Sequence, residues 1–411
     1  MYCYNSGLDF ERVVHNNPGH TALWFDRERN FTFREINSRA NQSARLLLEQ
    51  TENVGDVVCL EGEKSFDTFC FLLASLKVGR PYVVLDPDSP ASRLGKIVSS
   101  CRPKLILGRE SFIESVSIDE DKATYCVKHA IDNQSFINKL QALDTTNLGY
   151  TRLIHGDTPA YIMFTSGSTG FPKGAVMTHN NVLNLRDWSR EQYQLKPEDI
   201  MTNVNPLYFD NSVFDFYASL FNGATLVPFQ KEEVQDPKQL VDKLETAKCT
   251  FWFSVPSLLI YLQNMRVLNG KFLRSIKRFS FGGEGYPKAK LKKFFDIYKD
   301  TAHFYNVYGP TECTCICSSY KLSDEEFQDT QGLPPLGYIA PNFGYLILDE
   351  QEEKVPAGEV GELCLLGPQV GKGYYQDPER TAMAFKQNPH NPAYREIMYK
   401  TGDLVRQDPK D

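Results

Sequence analysis

The strongest constraint on the fold of this chain is a repeated alternation of short apolar runs with amphipathic stretches. Residues 57–61 read as a strand, Phe66–Val78 as a helix with apolar residues at i, i+3 and i+4, Tyr82–Leu85 as a strand, 90–100 as a helix and 105–107 as a strand. Residues 31–36 lead into a further helix-like segment that runs to Leu48. Alternation of this kind indicates a parallel sheet covered by helices. It resumes in the second half, with helices at 181–193, 215–221, 241–247 and 288–298 and strands at Thr225–Pro228 and 251–253. Between the halves, residues 109–150 are polar and irregular and read as a linker region with a helix inside. From Gly344 the pattern changes to hairpin-like alternation at 345–348 and Gly361–Leu366, which suits a small β-barrel-like third subdomain.

A chain of 411 residues is too long for one simple core and suits two or three packed subdomains. A net charge of −7, with no Lys/Arg run on one segment, argues against a nucleic-acid or anionic-membrane surface. The N-terminus has neither a basic region nor an apolar core, so no secretory signal is read there. The most apolar window, 250–262, contains Ser254, Pro256 and Ser257 and is too short to span a bilayer. The ten cysteines include no C-x-x-C pair, which points to free thiols in a reducing cytoplasm.

Three stretches carry chemistry. The first runs from Tyr161 to His179. The apolar residues 161–164 form a strand, followed by Thr165, Ser166, Gly167, Ser168, Thr169 and Gly170, then Pro172, Lys173 and Gly174. Glycines let backbone N–H groups turn towards an anion, hydroxyls add donors and the lysine adds a point charge, which suits a polyphosphate. It is neither a Walker loop, because Gly174 follows Lys173, nor a nucleophile elbow, because Ser168 directly follows Gly167. A flexible surface linker is the alternative. The second stretch, 306–312, places Asn306, Val307 and Tyr308 before the turn Gly309-Pro310, followed by Thr311 and Glu312 at a strand end, where open α/β sheets bind ligands. Alone it would be a turn with a solvated glutamate. In the third, Tyr399-Lys400-Thr401-Gly402-Asp403-Leu404, a carboxylate after glycine can accept both hydroxyls of a ribose.

Taken together, these stretches resemble motifs of the adenylate-forming enzymes, which include nonribosomal-peptide-synthetase adenylation domains, acyl-CoA synthetases and firefly luciferases. Weaker matches fall in the same order: 76–79 through Asp86, Gly282-Gly283-Glu284, and 361–363 through Gly373-Tyr374. The likeness spans about residues 31–404, close to the whole chain. It implies two helix-covered, mostly parallel sheets plus the small β-barrel-like subdomain. Residues 1–343 would hold the paired α/β subdomains with the ATP and amino-acid sites, and 344–411 the third. By the same resemblance Thr165–Thr169, Gly170 and Lys173 hold the phosphates, Gly283 and Glu284 line adenine, and Asn306, Tyr308 and Gly309 complete that wall. Tyr308 stacks on adenine, Thr311 contacts the adenylate phosphate, Glu312 holds Mg²⁺ and Asp403 meets the ribose. Thr169, Lys173, Thr311 and Glu312 are the implied catalytic set.

Asp210, in Phe209-Asp210-Asn211-Ser212, selects a branch. In peptide-synthetase adenylation domains the aspartate of this motif pairs with the α-ammonium of the amino acid, and a buried aspartate is costly without a cation. The competing role is an N-cap for the helix that follows. Carried over by motif position, the side-chain pocket is Asp210, Asn211, Phe214, Phe253, Ser280, Gly282, Val307, Cys315 and Ile316. It is uncharged apart from Asp210, which suits a neutral, branched aliphatic side chain, with Asn211 and Ser280 free to meet something polar. Cys313, Cys315 and Cys317 alternate, so we expect them on one face of a strand, about 7 Å apart at successive positions. They read as pocket wall and core, not as a metal site. The implied reaction is ATP-dependent formation of aminoacyl-AMP, with later transfer to the phosphopantetheine thiol of a carrier protein. An acyl- or aryl-CoA ligase and a non-catalytic binding module are the alternatives. Family members continue beyond the last motif into a small domain with a catalytic lysine. Since the sequence stops at Asp411, we expect it to bind adenylate but to turn over poorly.

Overall fold

The computed structural model describes residues 3–116, 126–165 and 171–409. Among them, three sheets organise the chain. One has six strands in the order Val127–Ala130, Leu105–Gly108, Val58–Glu61, Tyr82–Leu85, Pro159–Thr165 and Lys173–Thr178. All neighbours are parallel except the last two, which form an antiparallel pair. The second has nine strands. Its middle six run parallel: His303–Tyr308, Arg278–Gly282, Phe251–Ser254, Ile200–Asn203, Thr225–Pro228 and Thr21–Trp24. Antiparallel strands close both of its ends. The third is a four-stranded antiparallel sheet ordered Gly344–Leu348, Gly361–Leu366, Ile397–Val405, Phe385–Gln387.

Side-chain alternation along the strands builds the layers. In Val58–Glu61, Val58 and Leu60 join the largest core cluster, while Cys59 joins a separate one on the other face. Phe251 and Phe253 likewise face that largest core, and Trp252 faces a third cluster. Strands buried on both faces read as near-continuous apolar runs, as 58–60 and 251–253 do. The helices Phe33–Gln50, Phe66–Val78, His179–Tyr193 and Asn211–Leu220 supply the filling of the largest core. Their ends are marked chemically. Thr32 with Glu35 and Thr178 with Asn181 form capping boxes, and Gly79 ends Phe66–Val78 in the left-handed region at φ 66°.

Three expectations change. The region 109–150 holds more than one helix: Glu110–Ser115, the strand Val127–Ala130 and Gln134–Gln141. That strand is an edge with half-exposed side chains, so it lacks the apolar run that reveals buried strands. The helix expected at 215–221 starts a turn earlier, at Asn211. The three alternating cysteines do not lie on one strand. Cys313 ends a short 3-10 turn, Thr314 and Cys315 take positive φ of 61° and 74°, and the next strand begins at Ser318. All three are buried. No group of three or more His, Cys, Asp or Glu among the described residues could hold a metal ion. No helix among them is long and apolar enough to cross a membrane.

Candidate functional site

The predicted residues gather where strand ends of the two large sheets meet. Thr165 and Lys173 face each other across the antiparallel pair and bracket the phosphate-loop residues Ser166, Gly167, Ser168, Thr169 and Gly170, which lie outside the described residues. Lys173 Nζ sits 3.8 Å from Glu312 Oε1 and 3.3 Å from the Tyr374 hydroxyl, 5.0 Å from the centre of that ring. Tyr374 in turn donates to Glu312 Oε1 at 2.7 Å. Burial, reinforced by this bond to Glu312, pushes the Tyr374 phenol up, so it stays a donor at neutral pH. A lysine, a tyrosine and a glutamate therefore form one polar cluster. Residues 371–375 bring the tyrosine in by running beside Lys173–Thr178, with Val176 N–H donating to Gly373 O and Tyr375 N–H to Gly174 O. Tyr374 is absent from the predicted site. Its only trace in the sequence is the weak Gly373-Tyr374 match.

The loop carrying Thr311 and Glu312 leaves the strand end at Tyr308 and returns at Ser318, which pair in register. Cys317 N–H closes the loop on Tyr308 O at 2.8 Å. Gly309 is needed for this tight return: a Cβ there would collide with the Cys315 carbonyl. Thr311 Oγ1 donates to Asp210 Oδ2 at 2.6 Å. Asp210 occupies the N-cap position of the helix Asn211–Leu220, but its side chain makes no cap hydrogen bond there. Burial raises the Asp210 carboxyl to about 6, the Thr311 hydrogen bond offsets part of that, and Glu312 adds to it. The Tyr308 hydroxyl donates to Asp403 Oδ2 at 2.5 Å, which brings the third sheet to the same place. Burial, and then Asp403, push the Tyr308 phenol up.

The other predicted contacts have definite neighbours. Asn306 donates its amide to Pro335 O at 2.7 Å. Glu284 Oε2 accepts from Ser257 N–H at 3.2 Å, and Gly283 takes φ 87° beside Asn211. Phe214 and Phe253 pack edge to face at 4.9 Å. Ser280 lies beside Phe253 across one strand pair, and Gly282 beside Val307 across the next. Phe214, Phe253, Ser280, Val307, Cys315 and Ile316 are all buried. Helix Asn211–Leu220, which carries Asn211 and Phe214, is fastened from below. Buried Asp215 accepts from Asn203 and Asn205 at 2.9 Å each, and buried Lys64 donates to Asn203 O and Phe229 O. Burial raises the pKa of Asp215 and lowers that of Lys64.

Comparison with known proteins places the chain in a family. The family described as AMP-binding enzyme matches residues 10–375, and the chain belongs to that family. Its relatives include peptide synthases. Bacitracin synthase 1 of Bacillus licheniformis is 31% identical over 97% of this chain, which spans only 7% of that protein. An L-proline–[L-prolyl-carrier protein] ligase of Pseudomonas fluorescens is 30% identical over 97% of this chain and 77% of its own length. Among solved structures, the nonribosomal peptide synthetase FmoA3 superposes with a TM-score of 0.86 at 24% identity, over 98% of this chain and 41% of its own. That likeness bears on the fold, with its parallel-rich sheets and antiparallel third sheet.

Proposed function

We propose that this chain activates a neutral amino acid, of the branched aliphatic kind, as aminoacyl-AMP for loading onto a carrier-protein phosphopantetheine thiol. Residues 1–343 would carry the ATP and amino-acid sites and 344–411 the third subdomain. An amino-acid carboxylate oxygen attacks the α-phosphorus of ATP, the bond to the β-phosphate bridging oxygen breaks, and pyrophosphate leaves. Lys173, with the hydroxyls of Thr165 to Thr169, orients the phosphates. Thr311 meets the α-phosphate, while Tyr308 and Asp403 take adenine and ribose. Positioning and charge stabilisation do the catalytic work.

Magnesium suits Glu312. One carboxylate beside substrate phosphates is the usual Mg²⁺ environment, and this one is held at a single oxygen by Tyr374. When bound, the ion neutralises phosphate charge. The observation that carries the amino-acid reading is Asp210. It is a carboxylate with its pKa raised by burial, bonded to Thr311 and forming no ion pair among the described residues, so a ligand ammonium would supply the absent charge.

The test is a thermal-shift panel of non-hydrolysable acyl-sulfamoyl adenosines: valyl, isoleucyl, leucyl, phenylalanyl and alanyl beside fatty-acyl and salicyl forms. We expect the largest rise for a branched aliphatic form, and at least a tenfold loss of its affinity in Asp210→Ala, in line with removal of a buried charge partner. An equal response to the fatty-acyl or salicyl forms would overturn the amino-acid reading in favour of a CoA ligase.

A further inference from the structure

Tyr193 closes the helix His179–Tyr193 and is buried, yet no motif assigns it a role. Its ring stands edge to face with Phe214 at 5.7 Å, Phe251 at 4.9 Å and Tyr305 at 5.0 Å. Its hydroxyl lies 3.2 Å from the Ser280 hydroxyl. Two of these neighbours, Phe214 and Ser280, belong to the proposed side-chain pocket. On its other side, Tyr193 and Tyr305 line a cavity of about 460 Å³ that also takes in Arg278, His303, Lys277 and Lys321. That cavity lies at the N-terminal ends of the strands Arg278–Gly282 and His303–Tyr308, opposite the ends that carry Gly282 and Tyr308. Arg278 is engaged with Asp199 at 2.8 Å.

We propose that Tyr193 is the partition between the amino-acid pocket and this basic cavity, and so sets the length of side chain that the protein accepts. The inference rests on the amino-acid reading of the site and adds a specificity residue to it. Three edge-to-face ring contacts hold the phenol in one orientation. Its bond to Ser280 engages the hydroxyl that the sequence would offer to a polar substrate. A side chain that extends past Phe214 meets a fixed ring, not open space. With the ring removed, the pocket would run into a cavity whose charged lining groups are four cations, Lys277, Arg278, Lys299 and Lys321, and one carboxylate, Asp300, so the longer side chains admitted should be those ending in a carboxylate.

The experiment compares valyl-, 2-aminooctanoyl- and 2-aminoadipoyl-sulfamoyl adenosine on the full chain, wild type against Tyr193→Ala and the milder Tyr193→Leu. In the wild type we expect the valyl form to bind at least tenfold tighter than either long form. In the variants the ratio of 2-aminoadipoyl to valyl affinity should rise at least tenfold, and should rise further than the ratio of 2-aminooctanoyl to valyl affinity. Adding Lys321→Glu should erase that acidic preference. The ratio is the readout, because a merely structural loss would weaken all three ligands alike. Unchanged ratios in a folded Tyr193→Leu protein that still binds the valyl form would overturn the partition and leave the amino-acid reading standing. Failure of the wild type to bind any aminoacyl form would overturn that reading instead.

Discussion

Asp210 shows how much a single side chain can owe to its surroundings. The sequence places an aspartate ahead of a helix, where an N-cap is the ordinary outcome. In the fold its carboxylate turns to Thr311 instead, and burial lifts its pKa from 3.8 to about 6. With the folded pKa above the unfolded one, ionisation of Asp210 opposes folding, an effect absent below about pH 4 and complete above about pH 6. Asp210→Asn should therefore melt higher than the wild type at pH 7.5, and the gap should close as pH falls to 4. Thermal melts across that range check it, and a gap independent of pH would contradict the assigned ionisation. On the proposed amino-acid reading, affinity for an aminoacyl-sulfamoyl adenosine should weaken as pH drops through about 6.

At the scale of elements, the return loop between His303–Tyr308 and Ser318–Lys321 decides where Thr311 and Glu312 point. Its tightness comes from Gly309 lying against the Cys315 carbonyl, and from two successive non-glycine residues, Thr314 and Cys315, in the left-handed region. Such backbone is held only when its surroundings over-determine it; here Thr314 Oγ1 donates to Gln369 O at 2.7 Å, and the Cys315 side chain is buried. Gly309→Ala must push the loop open. We expect a loss of roughly 2–4 kcal/mol, as for other severe backbone clashes, together with weakened ATP binding. Chemical denaturation with the Gly309→Ala protein measures the first, and a change under 0.5 kcal/mol, the usual size for an unstrained site, would show that the loop has room to spare. The alternating cysteines belong to the same element. Their period of two mimics a strand, but the left-handed pair breaks that geometry, and the thiols end in the core.

For the whole molecule, the site exists because three sheets converge. Lys173 comes from the six-stranded sheet, Glu312 and Thr311 from the loop of the nine-stranded one, and Asp403 from the four-stranded one. Tyr374 ties the first two together, pairing its backbone beside Lys173–Thr178 while its hydroxyl holds Glu312. Tyr374→Phe removes that bond and keeps the ring under Lys173. A hydrogen bond to a charged group contributes about 1.5–3 kcal/mol, so Mg-ATP affinity should fall roughly tenfold or more. Calorimetric titration of Mg-ATP into the variant checks this; affinity within twofold of the wild type would remove Tyr374 from the site.

Local structure was legible in the order of the residues. Apolar runs such as 58–60 and 251–253 marked the strands buried on both faces, because burial on two sides leaves little room for polar side chains. The Gly-Pro turn and the Gly/Ser/Thr loop marked where an anion could sit. The edge strand Val127–Ala130 escaped notice, since half-exposed side chains carry no such run. Which residues meet was settled by the packing of the folded chain. That Asp210 meets Thr311, that Tyr374 joins Lys173 and Glu312, and that Tyr193 stands behind Phe214 and Ser280 all depend on contacts between residues tens to hundreds of positions apart. Local pattern records how a segment is buried. It does not record against what, because that is set by the packing of sheets the chain reaches only after folding.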